Sequence, residues 1–317
     1  MGLERIARAL SNVERIGMTP ELARRLGLAS EDATRGRLMA QAEEDRAHLG
    51  VYLLGSYVVD DTDLWGDGEI YWWSIPALVD REGKSIREPL HGLPNGMAPH
   101  KVGSLEWMTN VSLAEPPLLA VIPPVADLAG CTLRLAFYDD DGARANFAAA
   151  MQAGLEAYGN LSGDPLQGAD SVIAPVRDAI FRALKAEEDD ILVDQDVILR
   201  RGETSRFGAG LVGSVINSMV RVYWFVRDEE RTEQFGPIAL HKGQSETVRF
   251  ATPLRAGGRL AVFARGATVH CESFGDLDTD TPFTNRVIEA RQEPALSEGF
   301  TVHGQGAAKL IAFYTPP

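Results

Sequence analysis

The stretch Val220-Arg221-Val222-Tyr223-Trp224-Phe225-Val226-Arg227 is the clearest structural signal in this chain. Valine and tryptophan at its even positions alternate with arginine, tyrosine and phenylalanine at its odd positions. Successive side chains of a β-strand point to opposite faces, and these residue types favour strands. The stretch therefore predicts a β-strand.

Similar signals lie on both sides of this stretch. Before it, strands are predicted at residues 52–59, 69–79, 131–138 and 196–200. After it, they are predicted at residues 238–241, 246–250, 259–264, 268–274, 283–288 and 309–314. Many short strands separated by glycine-rich turns are typical of a β-sandwich or barrel.

Helical signals are confined to two regions. Near the N-terminus, Thr19 precedes Pro20 as an N-cap precedes a first-turn proline, and Ser30 caps a second run. Apolar residues recur with a helical period over 143–158 and again after the turn at 159–163. The second region predicts an αα-hairpin inserted between strands and packed across one end of the sheet.

Together these signals predict a mainly β fold, with antiparallel β-sandwich layers, an N-terminal helical arm and an inserted αα-hairpin. The predicted units are an arm at 1–50, a β-sandwich at 51–230 with its helical insertion at about 143–187, and a second β-sandwich or barrel at 231–317. The boundary between the sandwiches is placed in the charged stretch 228–234.

Composition excludes some functions and sets a default location. The 45 acidic and 31 basic residues give a net charge of −14, which argues against binding to nucleic acid. The start of the chain lacks the apolar segment of a secretory signal, so a cytoplasmic protein is expected by default, with export by a signal-less route left open. Cys131 and Cys271 lie in strand-like runs and are expected to be reduced core residues.

Three acidic loops follow or interrupt strand-like segments. They are Asp60-Asp61-Thr62-Asp63 running on to Asp67, Asp139-Asp140-Asp141-Gly142, and Asp276-Leu277-Asp278-Thr279-Asp280. Clustered carboxylates repel one another unless a cation lies among them, and oxygen ligands suit calcium. The predicted calcium ligands are Asp61, Asp63, Asp139, Asp141, Asp276, Asp278 and Asp280.

These loops do not match an EF-hand. Thr281 stands where the third loop would need glycine, and Trp72 stands where the first would need a bidentate glutamate. The loop pattern is similar to that of C2-type calcium sandwiches, which gather aspartates from separate strand ends, although the helical insertion departs from that family. The alternative is that these aspartates are ordinary solvated turn residues.

Other motifs give weaker indications. Residues 208–213 match the GxGxxG spacing, but no βαβ pattern surrounds them, which favours a glycine-rich turn or bulge. Trp72 and Trp73 are expected to point to opposite faces of a strand and to be buried in the core. His270 and Cys271 are neighbours on a strand, so they cannot form a catalytic dyad.

The function predicted from sequence is non-enzymatic binding or assembly, modulated by calcium at the acidic loops, with a protein, glycan or membrane surface as partner. Three alternatives remain open: a structural subunit of a homo-oligomer or larger complex, a membrane-interacting pore-forming protein, and a metal-dependent hydrolase using the same carboxylates.

Overall fold

The computed structural model describes residues 2–11, 18–41, 48–60, 68–87, 90–124, 127–139, 146–161, 168–184, 191–201, 207–289 and 299–317. Its helices are α1 Gly2–Leu10, α2 Pro20–Leu26, α3 Glu31–Gln41, α4 Phe147–Asn160 and α5 Asp170–Leu184. Its strands are β1 Leu49–Val58, β2 Gly68–Asp80, β3 Ser85–Ile86, β4 Asn95–Val102, β5 Glu106–Trp107, β6 Leu118–Ile122, β7 Leu128–Asp139, β8 Ile191–Arg200, β9 Val212–Ile216, β10 Val220–Asp228, β11 Glu233–Leu240, β12 Ser245–Val248, β13 Arg259–Gly266, β14 Val269–Cys271, β15 Gly275–Leu277, β16 Phe283–Val287, β17 Phe300–Gly304 and β18 Ala308–Thr315.

The strands form four antiparallel sheets. Sheet 1 has the order β5-β1-β10-β9, with β6 also paired to β1, and sheet 2 has the order β3-β2-β7-β8, with β4 also paired to β2. Sheet 3 is β11-β18-β13-β16 and sheet 4 is β12-β17-β14-β15. Strands hold 47% of the described residues and helices 21%, which confirms the predicted mainly β class.

Sheets 1 and 2 enclose a core in which the even positions of the opening stretch are buried. Val222 and Val226 of β10 pack in one cluster with Trp72 of β2 and Phe137 of β7. Trp73 belongs to a second cluster, on the other face of sheet 2. Both tryptophans are 0% exposed, so the prediction that they point to opposite faces of the strand and are both buried is confirmed.

The αα-hairpin covers the face of sheet 2 rather than one end of it. Phe181 of α5 meets Trp73 edge to face, with ring centroids 5.9 Å apart, and Phe147 of α4 meets Tyr71 at 5.8 Å. The prediction of end packing was wrong because β2 and β7 carry apolar side chains on both faces, so the outer face also needs a cover. Pro175 lies inside α5.

The N-terminal arm continues this layer. Thr19 Oγ1 accepts a hydrogen bond from Leu22 N and Ser30 Oγ accepts one from Ala33 N, as the predicted N-caps require. Buried residues of α1–α3 share a cluster with those of α4 and α5. In the described part of the chain, no helix combines the length and apolarity that crossing a membrane requires.

Sheets 3 and 4 enclose a separate core, which contains Val262, Leu310 and Val302. The outer face of sheet 3 packs on the outer face of sheet 1. There Phe225 of β10 stacks on Phe313 of β18 with ring centroids 3.9 Å apart and planes 14° from parallel. The odd positions of the opening stretch therefore join the two sandwiches. Cys131 and Cys271 are free and buried, as predicted, and they lie in different cores.

Candidate functional site

A cleft of about 330 Å³ opens where the two sandwiches meet, and we name it the intersandwich cleft. Residues 107–109, at the end of β5, form its wall on the N-terminal sandwich. Residues 239–241, 265–266 and 307–309 form its wall on the C-terminal sandwich, at the ends of β11, β13 and β18. The volume lies in the usual range of small-molecule sites, which often occur between domains.

Strand alternation explains which side chains reach the cleft. Ala261 and Phe263 of β13 pack against sheet 1. Arg265 is two residues further along the same strand and therefore points to the same face, just beyond the packed interface. The register places Lys309 of β18 directly opposite Arg265, and Ala239 of β11 directly opposite Lys309. One row across sheet 3 thus supplies an alanine and two cations to the cleft.

Arg265 is almost completely buried, with 9% of its surface exposed, and a hydrogen bond fixes its side chain. Its Nη1 donates a 2.5 Å hydrogen bond to the carbonyl oxygen of Val111, in the N-terminal sandwich. Burial lowers the pKa of the Arg265 guanidinium below its usual value. A guanidinium has five N–H donors, so the bond to Val111 leaves donors for a ligand.

Trp107 forms the opposite wall and is fixed by aromatic contacts. Its ring meets Phe263 edge to face at 6.0 Å and Tyr57 at 5.3 Å. Gly55 makes room for it, since a Cβ there would lie 2.9 Å from Trp107 Cζ3. The indole N–H is buried and has no acceptor among the described residues. The cleft therefore has one rigid aromatic wall.

No sequence pattern predicted this cleft. Its parts come from four segments that span residues 107 to 309, and none carries a motif. Arg265 and Lys309 in isolation look like ordinary solvent-facing strand residues. The one available signal is that each cation occupies a position where the alternation of its strand predicts an apolar, buried side chain.

The predicted calcium ligands are only partly within the described residues. Asp61, Asp63 and Asp141 lie outside them. Asp139 ends β7 and is 3% exposed, and its Oδ1 accepts a 2.9 Å hydrogen bond from Glu69 N at the start of β2. The buried carboxylate of Asp139 therefore links the start of the second acidic loop to the backbone just after the first acidic loop.

The third acidic loop uses each carboxylate separately. Asp276 Oδ1 lies 2.6 Å from His270 Nδ1, and Asp280 Oδ1 accepts a 2.6 Å hydrogen bond from Arg221 Nη1. Asp278 Oδ1 accepts hydrogen bonds from Asp280 N and from Thr281 N, and these bonds lower the pKa of Asp278. Among the described residues, no three His, Cys, Asp or Glu side chains are grouped as a metal site requires.

Strand pairing nevertheless brings the ends of these loops to one side of the N-terminal sandwich. Asp60 N donates to Met219 O, immediately before β10, and Arg221 in β10 reaches Asp280. The first and third acidic loops therefore approach the start of the same strand, while Asp139 lies beside the strand into which the first loop leads. The seven-residue ligand set stays a prediction.

A row of polar residues crosses the outer face of sheet 4. His303 Nδ1 lies 2.7 Å from Ser245 Oγ, and its Nε2 lies 3.0 Å from Glu272 Oε1. His270 stacks on His303 with centroids 6.0 Å apart and bonds to Asp276. The side chains in the ion pairs are 36–56% exposed, so water competes with every one of these bonds. The row does not enclose a substrate.

Comparison with known proteins adds no family. No family model matches the chain, and no curated protein matches it. Human GIVD cytosolic phospholipase A2 in complex with methyl gamma-linolenyl fluorophosphonate is a solved structure that aligns at 10% identity with a TM-score of 0.24. The same enzyme with this inhibitor and terbium chloride aligns at 9% identity with a TM-score of 0.23. The alignments cover 85% and 86% of this chain, which spans about a third (32%) of the enzyme chains, and scores this low carry no argument.

Proposed function

We propose that this protein is a non-enzymatic binding protein that holds a small molecule in the intersandwich cleft. The observation that carries the proposal is a cleft of about 330 Å³ whose apolar lining is interrupted by four polar residues, Thr109, His241, Arg265 and Lys309. Apolar walls with a few convergent polar groups are typical of ligand sites. The polar groups would orient the ligand while the walls remove its apolar surface from water.

The construction of the cleft supports binding by a preformed site. Phe225 and Phe313 fix the two sandwiches against each other, and Phe263 fixes Trp107. A wall whose rotamers are set by packing loses little conformational entropy when a ligand enters, so more of the contact energy appears as affinity.

The test uses N-phenyl-1-naphthylamine, an uncharged dye whose fluorescence rises in apolar surroundings. We expect saturable binding at one site per chain. Ala239→Phe fills the cleft from an exposed position on β11 and is expected to weaken dye binding about tenfold or more. Thr247→Phe adds the same ring to an exposed position on β12, away from the cleft, and is expected to bind dye as the wild type does.

Two results would contradict the proposal. The first is that the wild-type protein does not bind the dye. The second is that Ala239→Phe and Thr247→Phe bind it equally well. In the second case the dye occupies another surface, and the cleft loses its assigned role.

We also propose that calcium tunes the protein at the acidic loops. Support comes from the position of Asp139, whose carboxylate lies beside Glu69 where the first acidic loop joins β2. A bound cation there would offset repulsion among the carboxylates of the loops. This second function is independent of the cleft and has its own test.

A further inference from the structure

Two cations lie side by side in the intersandwich cleft. Arg265 and Lys309 are direct partners in the antiparallel register of β13 and β18. Directly opposite residues on one face have Cβ atoms about 5 Å apart, and like charges at that spacing repel and destabilise the sheet. The pair therefore places two positive charges on one wall of the cleft, where an anion would be favoured.

Water reaches Lys309, which is exposed, but little of Arg265, which is only 9% exposed. Among the described residues, neither cation forms an ion pair. The Arg265 guanidinium bonds to an uncharged carbonyl, that of Val111. Glu106, next to Trp107 in the chain, instead accepts a hydrogen bond from Gly103 N. Burial without a compensating carboxylate agrees with the lowered pKa of Arg265.

We propose, building on the proposed function, that the ligand of the intersandwich cleft is a small amphiphilic anion. Its anionic group binds between Arg265 and Lys309, and its apolar body lies along Trp107 and Ala239. Arginine matches a carboxylate geometrically through paired N–H donors, and lysine adds a mobile point charge. The anion would offset the repulsion between the cations, and the body would fill the apolar part of the cleft.

The experiment measures how three eight-carbon compounds displace N-phenyl-1-naphthylamine from the full-length protein, below micelle-forming concentrations. Octanoate carries the anion, octanol is its uncharged counterpart, and octylamine carries the opposite charge. Charge-assisted hydrogen bonds each contribute a factor of about ten or more. We expect octanoate to compete at least tenfold better than octanol, octylamine to be the weakest, and the preference for octanoate to shrink as salt rises.

Variants assign the preference to the two cations. Lys309→Gln and Arg265→Gln each remove one charge. We expect each to reduce the preference for octanoate over octanol about tenfold. The preference is a ratio measured within one variant, so any change in dye affinity cancels. Lys242→Gln, in the turn before β12, makes the same change of net charge outside the cleft and is expected to keep the wild-type preference.

The outcomes separate this inference from the proposed function. Dye binding with equal competition by octanoate and octanol overturns the anion assignment and leaves the cleft as a binding site. A preference for octanoate that persists in both Lys309→Gln and Arg265→Gln also overturns it, because the anion then binds elsewhere. Failure to bind dye overturns the proposed function, and the ligand class falls with it when octanoate also gives no heat in a calorimetric titration.

Discussion

The imidazole rings of His48 and His91 stack in the core with centroids 5.4 Å apart and planes 14° from parallel. They are 0% and 1% exposed, and none of their four ring nitrogens has a hydrogen-bond partner among the described residues. Burial lowers the pKa of His48 to about 4. Burial and the neighbouring His48 lower the pKa of His91 to about 3. Both rings are therefore neutral in the folded protein at neutral pH.

This pair predicts a loss of stability in mild acid. Between the ordinary histidine pKa of 6.5 and the folded values near 4 and 3, the unfolded chain binds protons that the folded chain does not. The free energy of unfolding therefore falls as pH decreases through this range, by up to about 1.4 kcal/mol per pH unit for each histidine. Urea unfolding at a series of pH values from 7.5 to about 4.5 measures the slope.

Substitution of both histidines measures how much of the pH dependence of the unfolding free energy comes from them. His48→Phe with His91→Phe keeps two stacked rings and abolishes the titration, so we expect a much flatter pH dependence. His241→Asn, at an exposed position, is expected to retain the wild-type slope. An unchanged slope in the double variant would assign the acid sensitivity to other groups.

Glu229 is expected to oppose this effect. Its Oε1 accepts a 2.6 Å hydrogen bond from Tyr52 Oη, and burial raises its pKa to about 7 despite Arg227 nearby. Between 4.5 and about 7 the folded chain therefore binds a proton that the unfolded chain lacks, and this contribution is lost as pH rises through 7. Glu229→Gln should steepen the acid slope by about 1.4 kcal/mol per pH unit.

The control for that variant is Glu230→Gln, since Glu230 is an exposed neighbour. It is expected to reproduce the wild-type slope in the same urea titration. If Glu229→Gln and Glu230→Gln give the same curve, Glu229 is already ionised in the folded protein and the prediction is wrong.

The contact between Phe225 and Phe313 predicts that the sandwiches unfold together. Phe313→Ala removes a buried ring from the interface and is expected to lower the free energy of unfolding by about 3–5 kcal/mol. Val287→Ala, at a position 49% exposed, should change it by less than about 0.5 kcal/mol. Unfolding followed by tryptophan fluorescence, which reports on the N-terminal sandwich, should shift with the substitution. A fluorescence transition left in place would show that the sandwiches are independent.

Calcium binding has a direct thermal test. A ligand that binds only the folded state at ten times its Kd adds about 1.4 kcal/mol to the free energy of unfolding. We expect millimolar calcium to raise the melting temperature and Asp139→Asn to reduce that rise, since the amide keeps an acceptor for Glu69 N but removes a charge. Asp178→Asn, at an exposed position of α5, is the matched control. No heat of binding and no thermal shift in the wild type would reject the predicted ligands.

Local patterns predicted the fold class because side-chain alternation is a property of each segment alone. The stretch 220–227 became β10, and its two faces proved to serve two different cores. The N-caps at Thr19 and Ser30 were also predictable from local sequence, since a cap accepts hydrogen bonds from backbone donors within one turn. The packing of the αα-hairpin could not be predicted from local patterns, because it depends on which apolar face of sheet 2 is not already packed against sheet 1.

Sequence by itself thus determined that this chain forms layered antiparallel sheets with an inserted helical pair. Only the tertiary structure decided that Arg265 faces Lys309 beside Trp107, because the register of β13 with β18 and the packing of sheet 3 on sheet 1 join residues far apart in the chain. A strand pattern fixes the face on which a side chain lies. The long-range pairing of strands fixes what lies opposite it, and that second choice creates the cleft.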